Sequence, residues 1–298
     1  MKISRKLNLK KNRRYIFAFI FLLVLIILLF WNQLDKILFF PTITPEEWCT
    51  SQPCIELEFF SLKIILVQPS STFFVYLLGF ITIAIGIHLI RSKKNQKFIS
   101  WWGIALLLWG IGAILAGTSY QAFSYEIKCA GRAFCVWTSL WEIFYLIFSV
   151  GSVNAMLMAQ AHMGERDKWG KIMVGYALAN FIAFVVTVVI GATIPIQFMI
   201  SFEMMLLFLA PTILFLLIFN IRKYLDLKKR INRSLVIIWI ALILIIGIYF
   251  LYFMLDITNI LWEHGIWFSE NDILHIGLIL WMIYIGIVAS RFGKNINK

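Results

Sequence analysis

Apolar residues in this chain fall into long runs separated by short polar stretches. The runs show neither the 3.6-residue period of a surface helix nor the two-residue alternation of a half-buried strand. A bilayer core about 30 Å thick is crossed by roughly 20 apolar residues in helical form. Runs of that length predict eight spans, at 15–33, 71–90, 98–117, 137–160, 172–193, 198–219, 234–255 and 273–290. Gly191 and Pro195 divide one apolar stretch into two helices joined by a short turn. After the first run comes WNQLDKILFFP, with no small-residue cleavage site, so that run reads as an uncleaved signal anchor. The predicted fold is all-α and polytopic: residues 1–44 form a basic tail and an N-terminal transmembrane helix, and residues 45–298 a seven-helix transmembrane core. The longest stretch outside the membrane is 32–70, where EFFSLKIILVQPSS alternates poorly, is too short to span, and is expected to pack over the outer face or re-enter.

Composition removes the soluble alternatives. The chain is 61% apolar and 14% charged, whereas a soluble domain is roughly half apolar and a quarter charged. Disorder demands the reverse bias. A net charge of +12 would suggest nucleic acid in a soluble protein, but its placement decides otherwise. Of 27 Lys and Arg, 23 fall in segments 1–14, 91–97, 161–171, 220–233 and 291–298, which share one side if the amino terminus is cytoplasmic. Basic residues in short loops stay inside, so both termini are expected in the cytoplasm, with the chain in an inner or plasma membrane. The opposite side keeps Lys36, Lys63, Lys128, Arg132 and twelve of the fifteen acids. The inner excess suits anionic headgroups, making membrane lipids the expected partners and nucleic acid unnecessary.

All four cysteines also lie on the outer side, where disulfides persist. Three pairings are open to four cysteines, and the two local ones, Cys49 with Cys54 and Cys129 with Cys135, are the simplest.

Several polar residues invite a role. Glu142 and Glu203 are placed about one turn or more inside predicted spans, where an ionisable group normally faces a cavity or a partner, or else snorkels to the surface. Tyr120, Gln121 and Glu126 belong to the same expected outer pocket, whereas Asn154 and Gln160 read as interhelical hydrogen-bonding groups. Asp272 and His275 stand three apart on one helix face. Two readings compete for that pair. They form a metal site with acids from other helices, whose oxygens would favour Mn, Ca or Mg over zinc, or Asp272 caps the last helix and His275 bonds a neighbour. The tryptophans, as at Trp101-Trp102 and Trp137/Trp141, read as an interfacial belt. No Gly-rich phosphate loop or nucleophile elbow is present. The last span carries no lysine between Ile273 and Ser290, which excludes a retinal Schiff base.

Five short stretches, in order over roughly 45–295, resemble the alkaline ceramidase branch of the membrane hydrolases called the CREST superfamily. Glu46-Glu47-Trp48-Cys49 resembles an acidic-Trp-Cys motif, and Gln68-Pro69-Ser70-Ser71-Thr72 a QP-x-N-T motif. Gly117 to Glu126 resembles the S-x-x-F-H stretch with its following Tyr-Glu, Trp141-Glu142 an Asp-Glu pair, and Asn271 to His275 the HxxxH that supplies two metal ligands. The resemblance implies a seven-helix fold, a three-histidine metal site and hydrolysis of a lipid amide. The matching ligand positions here are Gln121, Asn271 and His275, and amides are poor zinc ligands beside imidazole. The expectation is therefore a relative with a degenerate metal site whose outward-facing pocket binds a lipid or small ligand. The alternative is an active hydrolase using Glu142 and Asp272 with a divalent metal, zinc or another, on His275 and Asp272. An ion- or proton-coupled transporter is a further alternative, suggested by the intramembrane acids.

Overall fold

A computed structural model describes residues 33–59, 62–92, 96–163 and 168–295. The anchor expected at 15–33 lies outside them but for its last residue. Within them are seven helices long and apolar enough to cross a membrane. They are α1 (Pro69–Ser92), α2 (Lys97–Ala116), α3 (Leu140–Ala161), α4 (Lys168–Thr193), α5 (Phe202–Leu227), α6 (Arg230–Met254) and α7 (Glu270–Asn295). Their positions follow the seven predicted core spans. The break at Gly191 and Pro195 is there too: α4 ends at Thr193 and a 3-10 turn, Gln197–Ile200, precedes α5.

Outward faces of these helices are as apolar as their contacts. Ile182 and Val186 on α4, Leu207, Leu214 and Ile218 on α5, and Leu244 and Leu251 on α6 are all exposed. A helix apolar all round, yet open on one side, belongs against lipid. The most apolar stretch of α3 is 78% buried, against 22% for α4 and for α6, so α3 is the central post of the bundle.

Close helix contact depends on glycine at two crossings of α1 and α2. A Cβ on Gly86 would stand 2.9 Å from the Gly103 carbonyl oxygen, and one on Gly110 would stand 2.8 Å from that of Gly79. Small residues let backbones approach where lipid supplies no hydrophobic drive between helices. Polar ties hold α3 to its neighbours: Asn180 donates to Asn154 at 3.3 Å and Asn220 to Gln160 at 2.7 Å. Asn154 and Gln160 are thus the interhelical groups expected of them. Trp141, expected in an interfacial belt, is exposed, but Trp102 is buried against Phe98, which corrects the belt reading there. Trp109, Trp239 and Trp281 likewise pack edge to face inside the bundle.

One end of the bundle carries a cap that departs from the all-α expectation. Residues 54–67, expected to lie over the face or re-enter, form an antiparallel hairpin of β1 (Cys54–Phe59) and β2 (Leu62–Val67), pairing Cys54 with Val67. The poor alternation has a physical cause. Ile64 to Val67 are all at least partly buried, and a short β-branched run covered on both faces does not alternate. On the exposed side Lys63 bonds Glu56 at 2.7 Å and lies 3.4 Å from Glu58. The hydrogen bond and charge of Glu56, then Glu58, raise the Lys63 ammonium above the ordinary lysine value.

Both disulfides are the local ones, Cys49–Cys54 and Cys129–Cys135. The short helix Pro45–Trp48 starts with a capping box, Thr44 and Glu47 each accepting from the other's backbone N–H, with Pro45 at its first position. These elements enclose a second small core of Trp48, Val67, Cys129 and Cys135. Residues 34–43, set with the anchor in the sequence division, belong to the bundle and its cap. Leu34 and Ile37 are buried in the main core, and Trp137 donates its backbone N–H to the Ile37 carbonyl.

Candidate functional site

Under the cap the α2 helix widens into a π-helical turn, Gly117–Ala122. A Cβ on Gly117 would meet Val75 at 2.3 Å, so only glycine lets this turn seat against α1. Such turns re-aim side chains, and here Ser119 and Tyr120 face the start of α3. A short helix, Ser124–Lys128, then brings Lys128 back over them.

Lys128 and Glu142 form an ion pair at 2.5 Å, with side chains 4% and 3% exposed. The same Glu142 oxygen accepts from Ser119 at 2.7 Å, and Ser119 and Ser139 hydroxyls are 2.6 Å apart. A hydroxyl has one proton, so Ser139 donates to Ser119 and Ser119 to Glu142. Lys128 also donates to the Trp137 carbonyl at 3.2 Å and sits over the Tyr120 ring at 4.9 Å, with Phe39 and Trp48 about 6 Å away. Lys128 and Glu142, with Phe39, Trp48, Tyr120 and Trp137, wall a cavity of about 290 Å³, completed by Gln52, Phe202 and Glu203.

Glu142 and Glu203 both fall in the first turn of their helices rather than deeper, because α3 and α5 start later than predicted. There a carboxylate also faces the positive end of the helix dipole. Glu142 is buried, whereas Glu203 is exposed at the cavity mouth.

A second cavity, of about 130 Å³, lies deeper between the helices. Its walls are apolar except for Tyr145, Ser149, Tyr249 and His275. Phe202 lines both cavities, and Tyr120 of the upper meets Tyr145 of the lower edge to face, ring centres 6.0 Å apart. Each cavity is lined by a residue that holds a buried polar atom with no hydrogen-bond partner: the Trp48 indole nitrogen above and Nδ1 of His275 below.

The other candidates separate from this pair of cavities. Glu126 accepts from the Ile65 backbone N–H at 3.2 Å and so pins β2 to the bundle. Gln121 is buried, with an unpartnered Oε1, and lines neither cavity described above; Asn271 lies in the first turn of α7. Asp272 takes the Ser269 N–H at 2.6 Å while Ser269 Oγ accepts from Asn271 N, the capping reading of this residue. Its Oδ2 also accepts from Ser70 at 3.0 Å, tying α7 to α1. Among the described residues no group of three His, Cys, Asp or Glu could hold a metal ion. His275 and Asp272 therefore lack the third donor that the metal site of the hydrolase alternative needs.

Sequence reasoning missed Lys128, Trp48, Ser119 and Tyr145. For Lys128 a signal existed: it is one of four basic residues outside the five basic segments, and it adjoins Cys129 of a local disulfide.

A family model described as a family of unknown function (DUF6962) matches residues 71–293, about three-quarters of the chain, and the chain belongs to that family. The match covers the seven-helix bundle from near the start of α1 into α7. No curated protein and no solved structure matches the chain.

Proposed function

We propose that this multi-pass membrane protein binds an amphiphile, with the polar head under the cap beside Lys128 and Glu142 and the apolar part in the deeper cavity. The observation that carries this reading is the stacking of the two cavities on Phe202, one with a charged wall and one almost wholly apolar. The unpartnered Trp48 and His275 nitrogens supply a hydrogen-bonding group to each. Ligand sites are mostly apolar with a few convergent polar groups, and this arrangement matches that description for a lipid-like molecule. Its resemblance to ceramidase-like hydrolases supports a lipid ligand, while the absence of three convergent metal donors among the described residues favours binding over hydrolysis. The bias of basic residues supports a capped end facing away from the cytoplasm, with both termini inside.

The test is the lipid that co-purifies with the full chain in detergent, read by mass spectrometry. Phe202→Trp places bulk where the cavities meet and leaves the ion pair in place. A bound amphiphile in the wild type that falls at least tenfold in this variant supports the proposal. A wild type carrying no amphiphile, or a variant carrying as much, overturns it.

A further inference from the structure

The opposite end of the bundle holds a larger cavity, of about 770 Å³, that plays no part in the site under the cap. Three helices form it: the start of α2, the end of α3 and the start of α4. Its lining repeats one pattern on each. Lys97 stands at the rim of α2 and Trp101 lies four residues deeper. Directly after α3, His162 stands at the rim, with Met158 of α3 four residues deeper. On α4, Lys171 is followed by Val174. One helical turn is about 5.4 Å, so each wall changes from polar to apolar within about one turn, with lysine at two of the three rims. His162 Nδ1 is held by the Met158 carbonyl at 2.8 Å, which fixes the ring at the rim. Lys97 and Lys171 are exposed, and no Asp or Glu is among the described residues lining the groove.

We infer that this groove binds a membrane phospholipid with an anionic headgroup, the phosphate between Lys97 and Lys171 and an acyl chain along Trp101, Met158 and Val174. Charge complementarity selects the headgroup, and the apolar wall below selects a lipid over a free anion. Basic pockets between transmembrane helices take such headgroups. The ends of α2 and α4 that meet here are amino-terminal, and their dipoles act in the same direction as the lysines, against the single carboxyl end of α3.

The full chain is placed in nanodiscs of equal phosphatidylglycerol and phosphatidylcholine, and retained lipid is counted by native mass spectrometry. Phosphatidylglycerol is expected to be enriched on the wild type. Lys97→Gln with Lys171→Gln is expected to lower its retention by about tenfold to thirtyfold, from the attraction of two basic residues. A matched pair at the same end of the bundle, Arg222→Gln with Arg233→Gln, is expected to leave retention unchanged. Val174→Trp keeps both lysines but fills the chain path, and is expected to release the lipid. Equal retention in the lysine pair, equal loss in the arginine pair, or displacement by millimolar inorganic phosphate each overturns the inference. These readouts concern the end of the bundle away from the cap, so their failure is distinct from failure of the amphiphile proposal.

Discussion

Lys128 and Glu142 are 2.5 Å apart beneath the cap, each at least nine-tenths buried. Removing one partner of such a pair strands the other charge, at a cost of about 3–5 kcal/mol, while replacing both with apolar groups is often neutral. Lys128→Met or Glu142→Leu alone is therefore expected to lower the thermal midpoint in detergent sharply, and the double variant to recover most of the loss. Additive losses in the double-mutant cycle would remove the pair from its assigned role.

Asp272 is expected to behave as a cap. Asp272→Asn still accepts the Ser269 N–H and should unfold within about 0.5 kcal/mol of wild type, whereas Asp272→Ala loses the box at about 1–2 kcal/mol. If Asn and Ala are equally damaging, the negative charge itself is required and the capping account fails.

The glycine crossing of α1 and α2 has no room for a side chain. Gly86→Leu or Gly103→Leu should separate the helices and cost about 1–3 kcal/mol or more by overpacking. Gly175→Ala and Gly247→Ala, which meet nothing within 4 Å, serve as controls expected to be tolerated. Unfolding of all four in one detergent reads the contrast directly.

Reduction of the disulfides should loosen the cap before the bundle. Loss of a native disulfide typically costs about 2–5 kcal/mol, and Cys129–Cys135 closes the segment that follows Lys128 on its way to α3. Hydrogen exchange under reductant is expected to rise in 33–67 and 123–139 while α3 stays protected. Uniform exchange throughout would mean that the cap and bundle open as one unit.

Sidedness is readable by thiol labelling, because every cysteine of the chain is in a disulfide. An impermeant reagent applied to intact cells should label Leu57→Cys in the cap and spare Lys228→Cys at the other end. The reverse pattern would invert the proposed topology.

The helices were legible in the sequence because a membrane span is a local property. Length and apolarity alone dictate it, so α1 to α7 lie where the runs lie, and Gly191 with Pro195 divides α4 from α5 whatever else packs nearby. The cysteine pairs were legible for a related reason, since five or six residues of separation favour closure. Asn154 and Gln160 announced themselves as buried amides that need partners.

What the sequence left open depends on residues far apart in the chain. The hairpin at 54–67 hid its strand character because Ile64 to Val67 of β2 are at least partly covered on both faces. Lys128 looked like a stray outer base until Phe39, Trp48, Tyr120 and Glu142 closed around it, and those four span more than a hundred residues. Asp272 and His275 share a helix face, yet tertiary packing gives one to the helix cap and the other to an apolar cavity. Local pattern fixes where a helix runs. Only the packing of helices against one another decides which polar groups meet.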